Sequence, residues 1–219
     1  MLATVLLWTV IGFIAGALPF SVWLGRLAVD RDIRRYGDGN PGAANAVRAG
    51  GWRIGLPAVI LDGLKGAIPV GVAYHAFGVA GWGLVPVVLA PVFGHAFSPF
   101  LGFRGGKAIS TTFGVWTGLT IPYGPFVLGS LLAAFFYTVS PTGWAVMLTM
   151  SAWLFYLLTL QPVLSAQIPG PDWLAPWQTS APILVAWVIN VALLAWKHRA
   201  DLRQRLRRKS KARKRDQTP

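Results

Sequence analysis

The sequence predicts an all-α membrane protein, a seven-transmembrane-helix bundle with its N-terminus outside and its C-terminus cytoplasmic. Three observations carry this. Hydrophobic residues make up 54% of the 219-residue chain and charged ones only 12%, about half the charge of a soluble domain. The apolar residues fall in long runs. The charge is confined: every Lys and Arg lies between Arg26 and Arg53, at Lys65, at Arg104 and Lys107, or from Lys197 onward, and Asp172 is the only charged residue from Ala108 to Trp196. A net charge of +13 gathered into a few short loops is the positive-inside pattern of a protein whose partner is the lipid bilayer, not nucleic acid. The basic tail suits anionic headgroups.

Apolar segments read as helices near 2–25, 55–75, 78–97, 108–120, 124–139, 143–160 and 180–196. The first resembles a signal peptide at Ala15-Gly16-Ala17, but it lacks a basic start and is long for an h-region, so it reads as a retained helix. Segment 108–120 is short of the roughly 20 residues of a crossing and reads as tilted, broken or part-inserted. Basic residues put 26–53, 98–107 and the tail on the cytoplasmic side. Parity then puts the 140–142 turn there too, and the Pro-rich loop 161–178 outside, with Trp173, Trp177 and Trp187 in the outer interface belt. The expected organisation is one transmembrane domain over 1–198 followed by a basic tail over 199–219. With no cysteine there is no disulfide framework or thiol nucleophile, and His75, His95 and His198 show no metal-ligand spacing.

Three polar, glycine-rich stretches interrupt this background. The first runs from Asp30 to Arg48 and contains Gly37-Asp38-Gly39-Asn40-Pro41-Gly42. Glycines that take positive φ let successive backbone N–H groups converge on an anion, and Arg48 adds a charge-assisted contact. The second, Leu61-Asp62-Gly63-Leu64-Lys65-Gly66, places two opposite charges three residues apart on one helical face, as an ion pair or facing a polar cavity. The third, Gly94 to Lys107, ends in Arg104-Gly105-Gly106-Lys107 just before a helix, a phosphate-binding arrangement that is not a Walker loop. Phosphate cradles beside an apolar bundle suit a substrate that is anionic at one end and fatty at the other.

On these residues the chain resembles the bacterial acyl-phosphate:glycerol-3-phosphate acyltransferase family. Asp32–Arg48, Leu61–Gly66 and Gly94–Lys107 follow its three motifs in order and spacing. The later helices match in hydropathy and count. The resemblance implies a cytoplasm-facing site in the inner membrane and acylation of glycerol 3-phosphate at its 1-hydroxyl by acyl-phosphate, with no cofactor and no use of acyl-CoA. An acyl-phosphate synthase is an implied functional partner. Carried over, the phosphate binders are Arg48, Lys107 and the Gly39-Asn40 loop. Asp38, Asn45, Lys65, His95, Arg104, Gly105 and Gly106 complete the motif set. Ser140 is a substrate ligand, and His198, with Arg48 and Lys107, belongs to the catalytic group. Four residues depart from the pattern: Asp38 for Ser, Ala44 for Thr, Arg104 for Lys and Asp201 for Asn. Asp38 matters most, because a carboxylate repels phosphate unless it is paired or protonated. It leaves room for pairing with a nearby Arg, for a side chain turned away, or for a divergent non-catalytic paralogue.

Such a site needs to bring two anions together and stabilise an oxyanion, with positive charge from Arg48, Lys65, Arg104 and Lys107. Either His198 or His95, or the donor's own phosphate, takes the hydroxyl proton. A small transporter for an anionic solute is the rival reading, against which stand the absence of an inverted repeat and the gathering of ionisable groups on one face.

Overall fold

The computed structural model describes residues 1–121, 123–163 and 180–209. Among the described residues the regular structure is helical except for one two-residue ladder, and the chain divides into two compact units, Met1–Pro125 with Ser180–Asn190, and Phe126–Thr179 with Val191–Pro219. Residues 164–179 and 210–219, and with them Trp173, Trp177 and much of the 161–178 loop and basic tail, lie outside the described residues.

The first unit opens with α1 (Leu2–Ala17) and α2 (Phe20–Val29). The expected single helix over 2–25 is therefore two. The physical reason is Pro19, which has no N–H and drives its predecessor out of the helical region; Leu18 is extended, with φ −61° and ψ 122°. The loop expected over 26–53 also holds structure, namely a 3₁₀ turn at Ile33–Arg35 and the helix α3 (Ala43–Gly50). An apolar knot anchors this segment. Ile33, fully buried, packs with Val22, Ala46, Ala49, Ile54 and Ala58, and burying one such side chain contributes about 2 kcal/mol.

Beyond Gly51 the chain continues as α4 (Trp52–Gly71), which runs into a π-turn at Val72–Ala76, then α5 (Leu84–Ala96) and α6 (Ile109–Leu119). Small residues set the crossings. A side chain at Gly114 would strike the carbonyl of Gly63, and one at Gly118 that of Ala67. Between α1 and α5, Gly16 meets the backbone of Pro91 and Gly94 meets that of Phe13. Apolar surface gains little by leaving lipid, so such close backbone approach, with its dispersion contacts, is what holds membrane helices together.

The helices α7 (Tyr123–Thr138) and α9 (Ala181–Lys197) have parts in both units, and α8 (Thr142–Phe155) lies in the second. Midway along α9, buried Asn190 accepts from Trp116 Nε1 at 3.0 Å and donates to Thr112 Oγ1 at 3.1 Å. In the second unit the strands β1 (Val139–Ser140) and β2 (Arg207–Arg208) pair antiparallel, Val139 opposite Arg208 and Ser140 opposite Arg207. Trp144 Nε1 donates to the Gln204 carbonyl at 2.9 Å, and the Lys209 amide to that of Thr138 at 2.8 Å. The first residues of the basic tail are thus folded back onto the α7–α8 turn.

Four helical stretches, Leu2–Val29, Trp52–Ala76, Gly81–Leu101 and Thr142–Val163, are long and apolar enough to cross a membrane. The α7 and α9 helices are shorter, and α6, at 11 residues, is shorter still.

Candidate active site

The site is built on the polar segment that the apolar knot pins down. Asp32 is its local hub: its carboxylate accepts from the Arg34 amide at 3.0 Å, pairs with the Arg34 guanidinium at 2.7 Å and meets Arg26 at 3.3 Å. The Arg34 hydrogen bond, helped by Arg26, holds the Asp32 carboxyl well below the usual carboxylate range. Arg31 ties the segment to the end of α3 by donating to the Ala49 carbonyl at 2.5 Å.

A second network joins the first and third motifs. Asp38 accepts from the Asn45 carboxamide at 3.0 Å and from the Asn40 amide at 3.2 Å, and its other oxygen pairs with the Lys107 ammonium at 3.0 Å. Asn45 is fully buried on the first turn of α3. Its Nδ2 also donates to the Asn40 carbonyl at 2.9 Å, which leaves its oxygen to accept from Arg48 at 2.6 Å. Gly37, at φ +57°, lies against the Arg48 guanidinium, where a Cβ would collide with it. Burial alone would push the Asp38 carboxyl up, but Lys107, the Asn40 amide and Asn45 together outweigh that and hold it below its ordinary value. The carboxylate at the position of a serine is therefore paired, and its cation is Lys107 rather than an arginine.

The third motif is fixed to the end of α5. The Gly106 amide donates to the His95 carbonyl at 3.0 Å, and the His95 ring fills the place a Gly106 side chain would need. His95 is buried, Arg104 is exposed, and Gly105 packs on the backbone of His95 and Ala96. Lys107 directly precedes Ala108, the left-handed N-cap residue of α6, which makes no side-chain cap.

Asp62 and Lys65 form an ion pair of 2.7 Å with side chains 2% and 3% exposed. Ser21 Oγ donates to Asp62 at 2.6 Å and Lys65 donates to the Leu18 carbonyl at 2.7 Å, at the break between α1 and α2. Ser140 and His198 belong to the second unit. Ser140 sits in the ladder opposite Arg207, and buried His198 shares a hydrogen bond of 2.8 Å with the Leu194 carbonyl. Asp201, the other acidic departure, accepts from the Gly143 amide at 3.1 Å.

Sequence reasoning missed Ser21, Ser98 (which donates to the Ala17 carbonyl at 2.5 Å) and Asn190. The signal was present in each case: a polar residue inside or beside a membrane helix needs a partner.

An ammonium, a carboxamide and a backbone N–H meet at the Asp38 carboxylate, with a guanidinium next to them on Asn45, and these are donors of the kind an oxyanion calls for. Set beside apolar helices of membrane length, this polar cluster marks a multi-pass membrane protein with a candidate polar site. The family model for glycerol-3-phosphate acyltransferase matches residues 6–208, and the chain belongs to that family. Glycerol-3-phosphate acyltransferase 1 of Thermotoga maritima is 45% identical over 120 residues, covering 54% of this chain and 59% of that protein, so the chain spans only part of that relative's length. The glycerol-3-phosphate acyltransferase of Erythrobacter litoralis is 34% identical over 199 residues, covering 90% of this chain and 89% of that one. The crystal structure of PlsY (YgiH), an integral membrane glycerol 3-phosphate acyltransferase in its glycerol 3-phosphate form, superposes with a TM-score of 0.75 at 28% identity, over 97% of this chain and 99% of that one.

Proposed function

We propose that this chain transfers an acyl group from acyl-phosphate to the 1-hydroxyl of glycerol 3-phosphate, releasing lysophosphatidic acid and phosphate, as a step in phospholipid synthesis. The observation that carries the reading is the network Arg48–Asn45–Asp38–Lys107, which places two cations from distant motifs on one polar cluster. Family membership supports the acceptor, and the solved relative is described in a glycerol 3-phosphate form. The acyl-phosphate donor rests on the motif resemblance.

In the proposed reaction the 1-hydroxyl oxygen attacks the carbonyl carbon of the mixed anhydride. The carbonyl oxygen takes up the electron pair as an oxyanion, which collapses with loss of phosphate. Arg48 and Lys107 hold the anionic groups together, and the Gly39-Asn40 loop and Gly105-Gly106 are further substrate contacts. Their contribution is orientation and stabilisation of charge. Phosphate is a good leaving group, so no strong acid is needed. The hydroxyl proton passes to His198, to His95 or to the donor phosphate, and Ser140 is a substrate ligand. Arg104 adds exposed positive charge. We assign Asp62 and Lys65 a structural role at the α1–α2 break. The membrane arrangement that goes with this is seven crossings of the inner membrane, N-terminus outside, with the site on the cytoplasmic side and an acyl-phosphate synthase supplying the donor.

The test uses the purified chain in detergent with labelled glycerol 3-phosphate and, separately, palmitoyl-phosphate or palmitoyl-CoA. Lysophosphatidic acid formed from the phosphate donor alone is the expected result. Product from neither, with the protein folded, would point to another acceptor or a non-catalytic role. Arg48→Ala and Lys107→Ala should each lower turnover by about 10²-fold, and wild-type rates in both would overturn the site.

A further inference from the structure

The residue that departs most from the family pattern is also the one at the centre of the polar network. We propose that Asp38 is a built-in competitor for the anionic substrate: its carboxylate holds the donors that a substrate phosphate uses, and so sets the affinity of the site. This rests on the phosphate-binding reading above.

The geometry makes the carboxylate a stand-in for a bound oxyanion. One oxygen takes the Lys107 ammonium at 3.0 Å, and the other takes the Asn40 amide at 3.2 Å and the Asn45 carboxamide at 3.0 Å. Cation, backbone N–H and amide N–H are the three donor types a phosphate recruits. Arg48 is held by the same carboxamide, 2.6 Å from its oxygen. An incoming phosphate therefore meets cations already engaged, and a negative charge among them. An ionised carboxylate accepts but cannot donate, whereas the serine hydroxyl of the family pattern can donate to an anion. The residue change thus converts a donor into a rival. The carboxyl's depressed pKa means that the rival is charged at neutral pH. The Asp38 side chain is 47% exposed and that of Lys107 25%, so the pair is one that a ligand displaces rather than a locked core contact.

The experiment is calorimetric titration of the full chain in detergent micelles with glycerol 3-phosphate at fixed ionic strength. Wild type is compared with Asp38→Asn, which keeps the shape and removes the charge, and with Asp38→Ser, which restores the hydroxyl. Both variants are expected to bind about three- to ten-fold more tightly, the gain that follows from losing a half-exposed ion pair and its repulsion. Glycerol, titrated as a neutral probe, should show no such gain. Arg48→Ala and Lys107→Ala separate the two readings. If those two lose binding while the Asp38 variants bind no more tightly than wild type, the phosphate site stands and the competitor is overturned. Weaker binding in the Asp38 variants also overturns it, and makes Asp38 an organiser of the site. If Arg48→Ala and Lys107→Ala bind like wild type, the phosphate site falls and the competitor falls with it.

Discussion

At the scale of single residues, the polar segment is held by two carboxylates with different jobs. Asp32 braces its own turn through Arg34 and Arg26, whereas Asp38 reaches across to another motif. The Asp32 carboxyl is depressed, so its contribution is complete above the unfolded value near ~4 and is lost only as pH falls through the lower folded value. The Arg34 amide, which donates to Asp32, should accordingly stay protected from hydrogen exchange between neutral pH and ~4, and lose protection in Asp32→Ala at every pH. Exchange rates corrected for intrinsic pH dependence check this. Much of the candidate site was readable at this scale, because Arg48, Asn45, Gly39, Asn40 and Lys107 sit in motifs with fixed spacing. The partner of Asp38 was not. A charge pair between distant segments is decided by tertiary packing, and several arginines lay closer in sequence than Lys107.

At the scale of elements, small residues decide which helices touch. Of the two glycines facing each other where α4 crosses α6, only one is indispensable. A Cβ on Gly63 would find nothing nearer than the Ser110 carbonyl at 3.7 Å, but a Cβ on Gly114 would overlap the backbone of Gly63. Gly63→Ala should be neutral or stabilising, since alanine is about 1 kcal/mol better inside a helix. Gly114→Ala should destabilise by about 1–3 kcal/mol, with thermal unfolding in detergent reading the difference. A chain truncated after Leu206 loses β2, so the Ser140 amide, which lies opposite Arg207 in the ladder, should exchange faster in it than in the full chain. Hydropathy located α4 and α5 because long apolar runs dominate those segments. It passed over α3, whose eight residues are too few for an apolar run and include Asn45 and Arg48, although Gly42 and Gly51 bracket it in the manner of helix ends. It also passed over the β1–β2 ladder, since two residues have no period to detect.

At the scale of the whole molecule, the absence of cysteine makes topology directly measurable. In the proposed arrangement, Arg35→Cys should react with a membrane-impermeant maleimide only from the cytoplasmic side, and Trp82→Cys, in the exposed turn before α5, only from the other. Labelling of both from one side would overturn the orientation. The break at Pro19 bears on how the molecule is made. The Leu18 carbonyl is sealed by Lys65, 47 residues further along the chain. During synthesis the opening helices therefore leave the ribosome with that oxygen exposed, and their partner follows only with α4. The first span cannot mature by itself: its final shape waits on the second, which writes an order of events into biogenesis and gives a half-made chain a chemical mark by which it differs from a finished one.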